Sequence, residues 1–212
     1  MHLLSSVHRA IVLIDVEKFG DPSRTIVHQR AVREGLYEIT EKALTEAGIL
    51  SEHYTRDDRG DGILLLVDPV VPKCRLIDQF PSRLVAAIRE HNAKSADLAR
   101  IRLRLAIDAG EVLFDRYGVT GGSVTRAFRL IDAPILKEVL GTSTGLLAMI
   151  VSDRFYDDIV RHVPAAAPDT FLPSRVTVKE TDLMAWIRLP DHPFPRPEAG
   201  KVIDSWWRRL LS

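Results

Sequence analysis

Hydrophobic periodicity changes along this chain in an order that few folds accommodate. Residues 9–16 form an apolar, β-branched run with the length of a buried strand. Residues 25–48 carry apolar side chains at intervals of three and four, which predicts a helix ending near a glycine. Residues 53–68 predict a hairpin around a turn rich in Asp and Gly, and 82–93 predict a second helix. Residues 101–108 alternate apolar and basic side chains, as a half-exposed strand does.

The resulting order, β-α-β-β-α-β, predicts an α+β fold with a ferredoxin-like sheet and helices on one face. Additional C-terminal elements follow: a helix at about 122–132, a buried strand at 145–151, a short helix, and a closing hairpin at 175–189. Beyond these the composition changes to a proline-rich linker and a short tail rich in Trp and Arg. We therefore expect one domain over 1–189 and a linker with a tail over 190–212.

Charge and cysteine content exclude several classes of function. The chain carries 29 Lys and Arg residues against 29 Asp and Glu residues, so no net charge attracts nucleic acid or an anionic membrane. One cysteine permits no intrachain disulfide, and the N-terminal apolar run is too short to span a bilayer. The 7 histidines lack the spacing of a zinc site. We expect a cytoplasmic protein that binds no nucleic acid and does not insert stably into a membrane.

Two aspartates are expected near one edge of the predicted sheet. In a ferredoxin-like sheet, the first strand lies antiparallel beside the second strand of the central hairpin. Asp15 at the end of the former would then lie near Asp61 at the start of the latter. Such a carboxylate pair suits Mg²⁺ or Mn²⁺. The alternative is structural, because Asp61 precedes Gly62 as in ordinary turns and Asp15 could cap the following loop.

The helix at 122–132 places Thr125 and Arg129 one turn apart, on a face beside its apolar stripe. An arginine held beside a hydroxyl on a rigid helix suits the charge of a phosphoryl transition state. The alternative is that Arg129 is a solvated residue outside the core.

Five segments together resemble the catalytic domain of class III adenylate and guanylate cyclases, over about residues 9–189. They are VLIDVEKFG, RGDGILLL, IRLRLAIDAGEV, GGSVTRAFRL and, near residue 179, VKE. The resemblance implies that Asp15 and Asp61 bind two divalent metal ions, Mn²⁺ or Mg²⁺. It also implies that Arg129 stabilises the α-phosphoryl charge and that Lys179 holds the terminal phosphates.

By the same resemblance, the backbone after Asp15, around Phe19 and Gly20, cradles the triphosphate. The family is active as a homodimer, with metal ligands from one protomer and the arginine from the other. The implied activity is that of a phosphorus-oxygen lyase. The ribose 3′-oxygen of a nucleoside triphosphate attacks the α-phosphorus, pyrophosphate leaves, and a 3′,5′-cyclic monophosphate forms.

The chain departs from the family pattern where the family recognises the base. Thr125 replaces the usual asparagine, Asp57 replaces the lysine of adenylate cyclases or the glutamate of guanylate cyclases, and Gly118 stands at the partner position. The purine-reading pair is therefore missing. Tyr54, Arg56 and Asp57 on one predicted strand offer a donor, a cation and an acceptor to a base. The alternative is that all three are solvent-side hairpin residues.

These departures resemble the pyrimidine cyclases of Pycsar anti-phage systems, whose cyclic UMP or cyclic CMP activates a separate effector. That resemblance implies UTP as substrate, and CTP as the next choice. Two other hypotheses stay open at this point. One keeps the cyclase activity with ATP or GTP as substrate. The other is a cyclase-like domain that has lost catalysis and serves as a nucleotide sensor or dimerisation module.

Overall fold

The computed structural model describes residues 5–192, and within them an eight-stranded sheet carries five α-helices. The strands are β1 (Val7–Val16), β2 (Tyr54–Asp58), β3 (Gly62–Val67), β4 (Leu103–Asp115), β5 (Gly118–Thr120), β6 (Leu147–Ser152), β7 (Leu172–Val178) and β8 (Thr181–Arg188). The helices are α1 (Ile26–Glu46), α2 (Gln79–Lys94), α3 (Gly122–Ile131), α4 (Pro134–Thr142) and α5 (Asp153–Asp158). In this part of the chain, no helix is both long and apolar enough to cross a membrane. The predicted tail lies outside the described residues from 193 onward.

The first six elements form the predicted ferredoxin-like unit. The sheet order is β2-β3-β1-β4-β6-β8-β7, with β5 paired only to β4. Strand β1 is antiparallel to both β3 and β4, so β2-β3-β1-β4 has the alternating directions that a βαββαβ chain produces. Strand β6 then joins β4 in parallel, and the β7–β8 hairpin extends that side of the sheet. The α+β class is confirmed.

Helices cover both faces of the sheet: α1 and α2 of the predicted ferredoxin-like unit share one face, as predicted, and the later helices α3 and α4 cover the other. Val12 and Ile14 of β1 face the core that contains α1 and α2, as predicted. Ile11 and Leu13 face a second core that contains α3 and α4. The physical reason lies in β1 itself, whose consecutive apolar residues point alternately to opposite faces and require cover on each.

Strand β4 is longer and more buried than the sequence predicted. It continues to Asp115 and pairs with all ten residues of β1, so it lies in the middle of the sheet. Its one basic side chain, Arg104, is ion-paired with Asp15 rather than solvated. The alternation of apolar and basic residues predicted a half-exposed strand, and for β4 this prediction is wrong.

Helix α1 begins and ends close to its predicted bounds for identifiable local reasons. Thr25 is its N-cap, and a capping box joins Thr25 to His28. At the other end Gly48 has φ of 70°, the left-handed conformation that glycine adopts most readily after a helix. Both ends of the helix are therefore set by local interactions.

Candidate active site

Asp15 and Asp61 lie at the same edge of the sheet. The β1–β3 register pairs Asp15 with Gly62, and the Val16 N–H donates to the Asp61 carbonyl oxygen at 3.0 Å. Both aspartates line a cavity of about 380 Å³, which we call the sheet-edge cavity. It is bounded by β1, β3, β4 and the face that carries α3 and α4.

Arg104 on β4 is the direct partner of Asp15 across the sheet. Its Nε donates to Asp15 Oδ1 and its Nη2 to Oδ2, each at 2.7 Å. Burial raises the pKa of Asp15 to about 6; Arg104 opposes this shift, and the nearby charge of Asp61 adds to it. Asp15 is therefore a desolvated carboxylate that is ionised at neutral pH and neutralised by a cation of its own chain.

The charges around the sheet-edge cavity balance. Three acids and three cations line it: Asp15, Asp61, Asp132, Arg59, Arg104 and Lys137. Of these, Arg59 also lies over the Phe128 ring, 5.2 Å from its centroid. A polyanionic triphosphate entering this neutral site would need additional positive charge, because buried uncompensated charge is costly.

The donor set fits hard divalent cations only together with a phosphate ligand. Among residues 5–192 no group of three or more His, Cys, Asp or Glu side chains could hold a metal ion by itself. Mg²⁺ commonly needs less from the protein, since one or two carboxylates suffice when substrate phosphates and water complete its shell. Asp15 and Asp61 offer that number of oxygen ligands beside a cavity, so the residues fit such ions in the presence of a triphosphate.

Arg129 and Lys179 lie close to each other around Glu180, and neither of them lines the sheet-edge cavity. Arg129 Nη2 donates to Glu180 Oε1 at 2.6 Å, while its buried Nε has no hydrogen-bond partner within the described residues. Lys179 precedes Glu180 in the β7–β8 turn and has φ of 53°. The hydrogen bond from Arg129, and to a smaller extent the charge of Lys179, lower the pKa of Glu180. Thr125 is exposed one turn before Arg129 on α3.

The structure separates the three residues predicted to contact the base. Tyr54 packs against the core on the α1 side, and Arg56 forms an ion pair with Glu41 of α1. Asp57 pairs in register with Leu64 of the opposite core, so it faces the side that carries the sheet-edge cavity. Its carboxylate lies 2.7 Å from Arg59, which lines that cavity. Successive side chains of a strand alternate between faces, so Tyr54 and Arg56 cannot join Asp57 in one subsite.

The loop after β1 has a defined shape. Phe19 is half-buried against the α1–α2 core, and Gly20 is exposed. The guanidinium of Arg24 donates to the Lys18 carbonyl at 3.1 Å and to the Arg100 carbonyl at 2.9 Å. The predicted role of Phe19 and Gly20 toward a triphosphate stays a prediction.

Three cations of the sheet-edge cavity were not among the sequence candidates. Arg104 had a detectable signal, because it occupies the strand that must pair with the other side of β1. Arg59 lies in the Asp–Gly turn and could have been found by its position beside Asp61. Lys137 lies on α4, which the sequence did not reveal, and had no signal of its own.

Comparison with known proteins supports the fold. No protein-family model matches this sequence, and no curated protein matches it. The solved guanylyl cyclase Cya2 superposes with a TM-score of 0.59 at 20% identity, covering 86% of this chain and 92% of that chain. An adenylate/guanylate cyclase/hydrolase from Silicibacter pomeroyi gives 0.59 at 18% identity, with 88% and 99% covered. The adenylyl cyclase CyaB from P. aeruginosa gives 0.52 at 14% identity, with 92% and 98% covered.

At such identities a superposition establishes the fold, and a fold alone does not fix an activity. Both the sheet and the flanking helices are included, since the alignments span most of each chain. The chain therefore has the α+β fold of adenylyl and guanylyl cyclase domains.

Proposed function

We propose that this protein is a nucleotide cyclase that converts a nucleoside triphosphate to its 3′,5′-cyclic monophosphate and pyrophosphate. The observation that carries the proposal is the convergence of Asp15 and Asp61 on one cavity in a domain with the cyclase fold. Its charge balance and oxygen ligands suit a triphosphate that arrives with divalent cations.

In this proposal, Asp15 and Asp61 hold two Mg²⁺ or Mn²⁺ ions against the triphosphate. Such ions, when bound, supply Lewis-acid stabilisation of the attacking and leaving oxygens. With Asp15 bound to such an ion, Arg104, which now donates to Asp15, would be available to donate to a phosphate oxygen. The chain contributes mainly positioning and electrostatic stabilisation, as is usual in phosphoryl transfer.

The position of Arg129 supports a homodimer. Arg129 and Lys179 do not line the sheet-edge cavity of their own chain; instead they form a separate cationic cluster around Glu180. A second copy related by a twofold axis would bring this cluster to the cavity and create two equivalent sites. In that arrangement Arg129 stabilises the α-phosphoryl charge, Thr125 donates beside it, and Lys179 holds the terminal phosphates.

For the base we propose a pyrimidine, with UTP favoured and CTP next. The supporting residue is Asp57, which faces the cavity side where a base edge would need an acceptor. A carboxylate accepts from uracil N3–H or from the cytosine amino group. As in the resembling anti-phage systems, the product, cyclic UMP or cyclic CMP, would act as a second messenger for a separate effector in antiviral defence.

One experiment separates this proposal from its alternatives. Purified protein with Mn²⁺ is incubated with each ribonucleoside triphosphate, and products are identified by mass spectrometry. A cyclic pyrimidine nucleotide that is lost in Asp61→Asn but kept in the control Asp97→Asn supports the proposal. A cyclic purine selects an adenylate or guanylate cyclase instead. Absence of any product from a demonstrated dimer favours an inactive nucleotide-sensing or dimerisation module.

A further inference from the structure

The turn that carries Asp61 is tied to helix α1. Residues 59–61 connect β2 to β3, and Gly60 adopts φ of 83°, which glycine accommodates without a side-chain clash. Within the turn, the Arg59 N–H donates to the Gly62 carbonyl at 2.9 Å, and the Gly60 N–H donates to Asp58 Oδ1 at 2.8 Å. These bonds fix the backbone just before Asp61.

Arg33 of α1 contacts this turn at two points, the Gly60 carbonyl and the Asp58 carboxylate. Its Nη1 donates to the Gly60 carbonyl at 2.6 Å, and its Nη2 donates to the Asp58 carboxylate. Asp58 also accepts a hydrogen bond from the Gly60 N–H, so Arg33, Asp58 and Gly60 are all joined to one another by hydrogen bonds. The Arg33 hydrogen bond is the largest cause that lowers the pKa of Asp58 to about 2, so the pair is ionised at neutral pH.

The Asp61 carboxylate has no comparable restraint of its own. Within residues 5–192 no side chain donates a hydrogen bond to it, and the residue is exposed. The position of this carboxylate beside Asp15 is therefore set by the backbone of the turn. A group that orders the turn also orders the carboxylate.

We infer that Arg33 is a positioning residue for the proposed metal site, holding the turn so that Asp61 is presented toward Asp15. The inference rests on the proposed function, because it assigns Asp61 the role of a metal ligand. Outer groups that orient ligands commonly change metal affinity by a factor of about ten or more when they are removed.

A purely structural role would have a different consequence. Helix α1 is already held by its buried apolar face, including Val32, Leu36 and Ala43. The ion pair is partly exposed, with 38% of the Arg33 and 47% of the Asp58 side chain accessible, and such pairs contribute little to stability. Loss of Arg33 should therefore lower the metal affinity strongly and change the melting temperature little.

The test measures the binding of Mn²⁺ to the full chain by titration calorimetry, with inorganic triphosphate present to complete the coordination shell of the ion, together with the melting temperature. Arg33→Met is compared with Arg30→Met, a matched control on the same helix whose exposed ion pair with Glu34 does not touch the turn. We expect the Asp61-dependent Mn²⁺ affinity to fall about tenfold in Arg33→Met and to stay unchanged in Arg30→Met. Both variants should melt within about 2 °C of the wild type.

Equal Mn²⁺ affinity in the wild type and Arg33→Met overturns the inference while leaving the proposed function in place. If the wild type binds no Mn²⁺ that Asp61→Asn removes, the proposed metal site and the inference both fail. Should Arg33→Met not fold, Arg33→Lys decides the matter, because an ammonium cannot hold both the carbonyl and the carboxylate in the same fork. An intermediate loss of affinity in Arg33→Lys supports the inference, and no loss overturns it.

Discussion

Arg104 donates two hydrogen bonds of 2.7 Å to the carboxylate of Asp15. Asp15, one of the two proposed metal ligands, therefore already has a cationic partner within its own chain. Both side chains are mostly buried, and the pair spans two central strands. A metal ion at Asp15 must therefore compete with a guanidinium. Without metal, the charge of Asp15 is neutralised by the guanidinium of Arg104. A metal ion that binds Asp15 has to take the place of that guanidinium.

We expect Arg104→Met to destabilise the metal-free protein by about 3 kcal/mol, because it leaves the Asp15 carboxylate buried without a counter-charge. Mn²⁺ should restore part of this loss, by about 2.7 kcal/mol at a hundred times its Kd. Chemical denaturation in inorganic triphosphate, with and without Mn²⁺, measures both effects. The double variant Asp15→Asn, Arg104→Met is the control, since it removes both charges and should gain nothing from Mn²⁺. Equal stabilisation by Mn²⁺ in single and double variants would show that the ion binds elsewhere.

The hydrogen bond between Arg129 and Glu180 gives a second prediction. Glu180 occupies the guanidinium that is proposed to act on the α-phosphoryl group, and its carboxylate would repel an incoming phosphate. We expect Glu180→Gln to raise kcat/KM by about threefold, since the Glu180 carboxylate is mostly exposed and its ion pair with Arg129 is therefore weak. Steady-state kinetics measure the change, and Glu52→Gln, on a surface 3₁₀ turn, serves as the control. A fall in kcat/KM would instead mean that Glu180 helps to hold Arg129 in its working position.

The ferredoxin-like core was predictable because its signals are long and local. A continuous apolar run such as 9–16 and the helical period of 25–48 extend over many residues, and chain order then limits the possible sheet. That topology alone predicts that Asp15 and Asp61 lie at one edge of the sheet. The sequence pattern did not predict helix α4, because this helix has only nine residues, begins at a proline and carries a glycine near its end.

The sequence patterns did not predict the face of the sheet to which each side chain points. The length of β2 was nearly right, yet Tyr54 and Arg56 were grouped with Asp57 although neighbours on a strand face opposite ways. Arg104 was taken as a half-exposed basic residue because its partner, Asp15, is 89 residues away. Charge pairing between distant strands depends on register, and register is known only once the sheet is assembled.

The opposite orientations of Asp57 and Arg56 allow a test of base recognition with a matched control. Asp57 faces the cavity side, whereas Arg56 on the same strand faces α1. We expect Asp57→Ala to reduce discrimination among the four nucleoside triphosphates by about tenfold, the cost of losing one polar contact to a base edge. Arg56→Met should leave discrimination unchanged. The measurement is the ratio of cyclic products formed from an equimolar mixture; an identical ratio in wild type and Asp57→Ala would remove Asp57 from the base site.

The separation of Arg129 from the sheet-edge cavity predicts complementation between inactive chains. Asp61→Ala lacks a proposed metal ligand and Arg129→Ala lacks the cation proposed to stabilise the phosphoryl group, so each homodimer should be inactive. When the two variants exchange subunits, about half of the dimers are mixed, and each mixed dimer assembles one intact site from an unmodified aspartate and an unmodified arginine. We therefore expect mixing to recover about a quarter of the wild-type rate per chain. Cyclic nucleotide formation is followed after mass spectrometry has shown subunit exchange, and an inactive mixture of exchanged dimers would place both residues in a site formed by one chain.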